Sequence, residues 1–159
     1  MSDRLHEIFQ HQRQLMERFH VIERANLPHL PEFPVPFDYP TLTSVVGQLR
    51  LKEYAWRIVE ELTEAGQHLR AGGSDEDSEY REEIADAFHF LVELWIQLGT
   101  TPAHLVSRTH CQEAEGDSLS ALFAIVDSLS SIDRLDSEEE LLSVVMALGL
   151  LRGVKDTKV

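Results

Sequence analysis

Two acidic clusters in the middle of the chain hold the residues best suited to chemistry. Residues 60–64 have the pattern EExxE, and residues 83–86 have the pattern ExxD. Helix positions three apart share a face, so Glu61 pairs with Glu64 and Glu83 pairs with Asp86. Two such helices packed antiparallel bring four carboxylates together, and these cannot all stay ionised without a cation. The spacing therefore predicts a site for a hard, oxygen-preferring cation such as Mg²⁺.

A simpler explanation accounts for only some of these carboxylates. Acidic residues are favourable in the first turn of a helix, which explains Glu79, Glu82 and, in part, Glu83. Asp86 lies about two turns inside the same helix, where aspartate is a weak helix former. EExxE alone is common on exposed helices, so the prediction depends on the two motifs occurring together.

The composition places the chain in the globular class. Its 159 residues can form one domain with a core, expected to span residues 1–159. The hydrophobic share of 43% is too high for a disordered acidic segment. A net charge of −14 argues against nucleic-acid binding, although Mg²⁺ can supply the positive charge that a nucleotide needs.

The cysteine content and the hydropathy pattern indicate an intracellular protein. Cys111 is the one cysteine, so neither an intrachain disulfide nor a cysteine zinc site is expected. We find no signal peptide, and the longest apolar stretch, residues 88–98, is interrupted by His89, Glu93 and Gln97. We therefore expect a cytoplasmic location and no membrane contact.

The chain is predicted to be all-α, because no strand pattern or internal repeat stands out. Five prolines between residues 26 and 40 predict an extended segment after the first helix. Later breaks are expected at residues 72–75, 99–102 and 116–117, and Gly47 is a candidate break within the second helix. The expected helices span about 2–24, 41–70, 78–98, 101–115, 118–132 and 137–149.

The segment around the second cluster resembles a known superfamily. Residues 82–91 read EEIADAFHFL, which resembles the E-x-x-D-x-x-H-F segment of dimeric dUTPases and phage dCTP/dUTP pyrophosphatases. Together with the EExxE motif, this segment resembles the motif pair of the all-α nucleoside triphosphate pyrophosphatases, which include the MazG-like enzymes. The resemblance covers about residues 41–115, and residues 118–151 are expected to complete the bundle or a dimer interface.

This resemblance implies a fold, an activity and a set of site residues. It implies an all-α bundle of the pyrophosphatase type, a homodimer or higher homo-oligomer, and Mg²⁺, with Mn²⁺ as an alternative. The activity would be cleavage of a deoxynucleoside triphosphate, dUTP-like or dCTP-like, to monophosphate and pyrophosphate. The implied metal ligands are Glu61, Glu64, Glu83 and Asp86, and Glu60 or Glu61 would activate water.

The predicted substrate contacts are less regular than the metal ligands. They are Trp56, Arg57, His89 and Arg108. His89 and Phe90 are also interpreted as packing residues behind the ligands. The family places Lys, Asn and Arg in the helix after ExxD, whereas residues 108–113 contain neither lysine nor asparagine. Other candidates for phosphate contacts are His110, Arg50, Lys52, Arg70 and Arg81.

Other functions remain open at this stage. The missing lysine and asparagine favour a non-catalytic acidic module that binds a nucleotide or a partner. A di-iron bundle is a third alternative, because Asp86 and His89 resemble half of its ligand motif. Trp56 and Trp95 are interpreted as core anchors rather than stacking platforms, although Trp56 lies within reach of a bound base.

Overall fold

A computed structural model of the chain describes residues 2–29 and 33–103. Four helices occur in these ranges: α1 (Ser2–Asn26), α2 (Tyr39–Thr43), α3 (Val45–Arg70) and α4 (Ser78–Gln97). The described part contains no strand, in agreement with the all-α prediction. Residues 102–103 are again helical, where Thr101-Pro102 predicts a helix start. The helices predicted for 118–132 and 137–149 lie outside the described residues.

Helices α3 and α4 form an antiparallel hairpin that carries most of the core. The buried residues of α3 recur every three or four positions, which produces one apolar face. That face packs against the equivalent face of α4, and the register is visible where Glu61 meets Glu83 and Asp86. The central residues of this core are Leu51, Ile58, Leu62, Ala87, Leu91 and Leu94.

Helix α1 packs against α4 and covers one side of the hairpin. Phe9 stacks on Trp95 with 6.1 Å between ring centroids, and Met16 is buried in the same core. A polar contact accompanies this packing, because the Gln12 amide donates a 2.7 Å hydrogen bond to Glu93. Two aromatic residues and one amide therefore fix the position of α1 on α4.

The proline-rich segment is non-helical over residues 33–38, as the prolines predict, with a bend at residues 35–36, and part of it lies in the core. Phe37 is buried, and its backbone N–H donates to the Gln97 carbonyl at 2.9 Å. The side chain of Asp38 then caps α2 by accepting from Thr41 N at 2.9 Å. The segment thus connects α1 to the hairpin and also packs on the C-terminal end of α4.

The break before α3 lies at Ser44 and not at Gly47. The Ser44 hydroxyl accepts from Gly47 N at 2.9 Å and thereby caps the start of α3. Gly47 lies inside α3. A Cβ at this position would lie 1.9 Å from the Thr41 carbonyl oxygen. Glycine is needed here for the close approach of α2 to α3, so the prediction of a helix break at Gly47 is wrong.

Candidate metal centre and adjoining groove

The hairpin places three carboxylates of the two sequence motifs at one point. Glu61 precedes the buried Leu62 of α3, and Glu83 and Asp86 precede the buried Ala87 of α4. One carboxylate oxygen from each of the three residues lies within 4.8 Å of those from the other two. The antiparallel packing predicted from the sequence therefore brings Glu61, Glu83 and Asp86 together.

The electrostatics of this cluster are unfavourable in the absence of a cation. Partial burial, a hydrogen bond with Glu83, and the charges of Glu83, Glu64 and Asp86 raise the pKa of Glu61 to about 7. Among the described residues, no lysine or arginine forms an ion pair with any of the three clustered carboxylates. Without a cation, the cluster thus favours the protonated form of Glu61.

Glu64 and Glu60 lie beside the cluster without joining it. Glu64 is exposed and contributes to the raised pKa of Glu61, so its carboxylate lies near that of Glu61. Glu60 is half-buried, and its Oε2 accepts a 2.8 Å hydrogen bond from Nη1 of Arg57. One oxygen of Glu60 is engaged by this ion pair, and the other has no described hydrogen-bond partner.

An open groove of about 700 Å³ adjoins the cluster and shares Glu83 with it. It runs along the outer face of α3 and the first turns of α4. Its lining combines acidic, apolar and neutral polar side chains. The residues that line it are Trp56, Val59, Glu60, Thr63, Glu64, Gln67, His68, Ala71, Glu79 and Glu83.

The two tryptophans have opposite environments. Trp95 is 5% exposed and lies in the core, as predicted, between Phe9 and Phe88. Trp56 is 68% exposed and forms part of the groove wall, so its interpretation as a core anchor is wrong. It lies on the same outer stripe of α3 as exposed Val45 and Leu49, away from the stripe that packs on α4.

The other predicted substrate contacts do not line the groove. Arg57 is half-exposed and does not line the groove, but it forms an ion pair with Glu60, which does. His89 is exposed on α4, three residues after Asp86, and Phe90 is half-buried against the core. Arg108 and His110 lie outside the described residues.

No lysine or arginine of the described chain lines the groove. Arg50 is committed elsewhere, because it pairs with Glu23 of α1 and with Glu53. Lys52, Arg70 and Arg81 are exposed and are also absent from the lining. Within the described residues, the phosphate contacts expected from the family resemblance therefore have no cationic equivalent in the groove.

The sequence analysis missed His68. Its Nε2 lies 2.9 Å from Oδ2 of Asp77, in the turn between α3 and α4, and its ring lines the groove. A signal was present, since His68 lies four and seven residues after Glu64 and Glu61, on the same side of α3. The spacing along α3 does not reveal its partner, because Asp77 lies beyond the end of that helix.

The donor set of the cluster suits a hard divalent cation. All three groups are carboxylates, and neither a thiolate nor an imidazole belongs to the cluster. Mg²⁺ and Mn²⁺ prefer such oxygen donors and retain waters in the remaining positions. The residues present therefore fit the predicted cation.

Comparison of the chain with models of protein families, with curated proteins and with solved structures gave no match. Among the described residues, no helix has the length and apolar character needed to cross a membrane.

Proposed function

We propose that this protein is a divalent-cation-dependent pyrophosphohydrolase that cleaves a deoxynucleoside triphosphate to monophosphate and pyrophosphate. The observation that carries the proposal is the convergence of Glu61, Glu83 and Asp86 within 4.8 Å beside an open groove. Three carboxylates that repel one another reduce stability unless they have a ligand to bind. The resemblance of the two motifs to the all-α pyrophosphatases supplies the reaction and the dUTP-like or dCTP-like substrate.

In this proposal, Glu61, Glu83 and Asp86 hold Mg²⁺ or Mn²⁺, with Glu64 completing the set from the adjacent turn of α3. When bound, the cation neutralises phosphate charge and lowers the pKa of a coordinated water. Glu64 is exposed and lies three residues after Glu61 on α3, so its side chain is free of core packing on the side of the helix that carries Glu61.

Glu60 is the best-placed proton acceptor for the attacking water. Arg57 fixes one of its oxygens through a 2.8 Å hydrogen bond, and the other oxygen has no described partner. Glu60 also lines the groove, where the nucleotide would lie. Glu61 is the alternative acceptor. Variants distinguish the two residues, because replacement of Glu61 would also remove a ligand of the cation, whereas replacement of Glu60 would not.

A second candidate is a non-catalytic module that binds a nucleotide or a partner protein through the same groove. The absence of lysine and arginine from the described groove lining favours it. It predicts that neutralising Glu61 and Glu64 leaves binding intact. The pyrophosphohydrolase instead requires both carboxylates for turnover.

Self-association belongs to the proposal as well. Exposed apolar side chains follow one face of α1, at Leu15, Phe19 and Ile22, and one face of α3, at Val45 and Leu49. Such unpartnered apolar stripes are typical of interfaces. Light scattering on the purified protein is expected to give the mass of a homodimer or a higher homo-oligomer, and a monomer would contradict this part of the proposal.

The experiment is a turnover screen of common and modified deoxynucleoside triphosphates with Mg²⁺ or Mn²⁺. Asp86→Asn and Glu64→Gln are expected to abolish pyrophosphate release, and the matched control Glu82→Gln, an exposed position on α4, is expected to retain it. Circular dichroism verifies that all variants are folded. Absence of cation-dependent turnover with every substrate would refute the proposed activity.

A further inference from the structure

His68 occupies the end of the groove next to the turn between α3 and α4. Its Nε2 lies 2.9 Å from Oδ2 of Asp77, and the same oxygen accepts the Ser74 backbone N–H at 2.7 Å. Hydrogen bonds from Ser74 and His68 lower the pKa of Asp77, so this carboxylate remains ionised. Asp77 therefore connects the imidazole to the backbone of the turn.

The surrounding backbone also fixes the position of the imidazole. The His68 ring lies directly against Gly73, where a Cβ would come within 2.1 Å of Nε2. The side chain is 25% exposed, so one part of the ring is enclosed by the turn and another part faces solvent. A histidine held in this way presents its remaining nitrogen, Nδ1, in a fixed direction.

The two ends of the groove, which lie apart along α3, are lined by different kinds of side chain. Trp56 and Val59 form its aromatic and apolar end, and His68 lies twelve residues further, about 18 Å along a helix with a rise of 1.5 Å per residue. The carboxylate cluster lies between these two ends, at the level of Glu61. A ligand extended along the groove passes Trp56 at one end and His68 at the other, and it reaches the cluster at Glu83, which the groove and the cluster share.

Among the described residues that line the groove, His68 alone can carry a positive charge. The charged groups that share its surroundings are Asp77 in the turn, Glu64 on α3, and Glu79 and Glu83 on α4. All of them are acidic, so a protonated imidazole here is surrounded by opposite charge. Arg81 acts on Asp77 from one turn away but does not line the groove.

We propose that the His68–Asp77 pair is the anion-binding end of the groove and receives the terminal phosphate of the bound nucleotide. The inference rests on the proposed function and adds a binding residue and an orientation to it. The base lies toward Trp56, the cation-bound phosphates lie at Glu61, Glu83 and Asp86, and the phosphate chain ends at Nδ1 of His68. A protonated imidazole donates from both nitrogens, one to Asp77 and one to phosphate.

The test compares the binding of two nucleotides by calorimetry in the presence of Mg²⁺. The probes are the non-hydrolysable α,β-imido analogue of dUTP and dUMP, which lacks the terminal phosphates. At pH 6, His68→Gln is expected to weaken binding of the imido analogue about tenfold, equivalent to about 1.4 kcal/mol. Binding of dUMP is expected to stay unchanged, as is Mn²⁺ binding without nucleotide.

The comparison of the two nucleotides separates a phosphate contact from a structural role. A residue that only supports the fold would affect both nucleotides, whereas a contact with the terminal phosphate affects only the imido analogue. His11→Gln, at an exposed position on α1, is the matched control and is expected to bind like the native protein. Equal losses for both nucleotides would overturn the inference.

Asp77→Asn provides a second variant that does not remove the imidazole. It keeps an acceptor for the Ser74 N–H but removes the charge that holds His68, so it is expected to weaken binding of the imido analogue and to leave binding of dUMP unchanged. If this variant and His68→Gln both bind the analogue as tightly as the native protein, the inference is overturned and the proposed function stands. If the native protein binds neither nucleotide with Mg²⁺, both are overturned.

Discussion

Replacing Glu61 by glutamine is expected to stabilise the metal-free protein at pH 8, although the change removes a predicted metal ligand. In the native protein, Glu61 is held near Glu83 and Asp86, and its pKa is raised to about 7. Above that pH the cluster carries a third negative charge that it does not tolerate well. Glutamine resembles the protonated form, since it can still donate a hydrogen bond to Glu83 without adding charge.

The size of the stability change follows from the pKa of Glu61 in the folded protein and its ordinary value. A pKa of about 7 in place of 4.5 corresponds to about 3 kcal/mol at pH 8, at 1.36 kcal/mol per pH unit. Glu61 retains contact with solvent, and screening reduces this to about 1 kcal/mol. For a chain of 159 residues, 1 kcal/mol raises Tm by about 3 °C.

The pH dependence gives the prediction its sign. The pKa of Glu61 is raised on folding. The free energy of unfolding that this residue contributes is therefore present in full below pH 4.5 and is lost as the pH rises through about 7. The advantage of Glu61→Gln is therefore largest at pH 8 and disappears at pH 4. Thermal unfolding in EDTA at both values measures it, with Glu82→Gln on the exposed face of α4 as control.

The reasoning is refuted if Glu61→Gln lowers Tm at pH 8, or if it changes Tm equally at pH 4 and pH 8. The first result would mean that the carboxylate of Glu61 has a stabilising partner, and the second that its ionisation is not coupled to the cluster. In either case the repulsion that motivates a cation site would be absent.

Three further predictions concern other parts of the molecule. Mg²⁺ binding at pH 7 is expected to release protons from Glu61, so the calorimetric heat should vary with the ionisation enthalpy of the buffer; a buffer-independent heat would contradict this. Trp56→Leu is expected to leave Tm unchanged, because Trp56 is exposed, but to weaken binding of the imido analogue about tenfold through lost stacking; equal calorimetric affinities would contradict it. Gln12→Leu is expected to cost about 1–3 kcal/mol in urea unfolding at pH 8, because it leaves the partly buried Glu93 carboxylate without its donor; a neutral effect would show that Glu93 is satisfied elsewhere.

Sequence patterns predicted the helices well where local chemistry determines their ends. The Gly72-Gly73 turn and the end of α4 before Gly99 agree with the structure, since both Gly72 and Gly99 have positive φ. Gly47 was mispredicted because its role depends on a contact with Thr41, which only the packing of α2 on α3 creates. Glycine in a sequence does not distinguish a backbone break from a close approach.

The same distinction applies to the site: features that depend on one helix could be predicted, and features that depend on tertiary packing could not. The helix period paired Glu83 with Asp86, and the antiparallel packing expected for the two helices placed this pair opposite Glu61. The exposure of Trp56 could not be predicted, because it depends on which stripe of α3 the rest of the chain covers. The partnership of His68 with Asp77 depends on the path of the turn, which spacing along one helix does not specify.

The most direct test of the account is quantification of the products that the native protein forms from dUTP and dCTP with Mg²⁺. We predict equal amounts of monophosphate and pyrophosphate, and no product after chelation of the cation or in Asp86→Asn. Release of inorganic phosphate with a diphosphate, or turnover that persists in Asp86→Asn, would contradict the assignment of the three-carboxylate cluster as the catalytic metal centre.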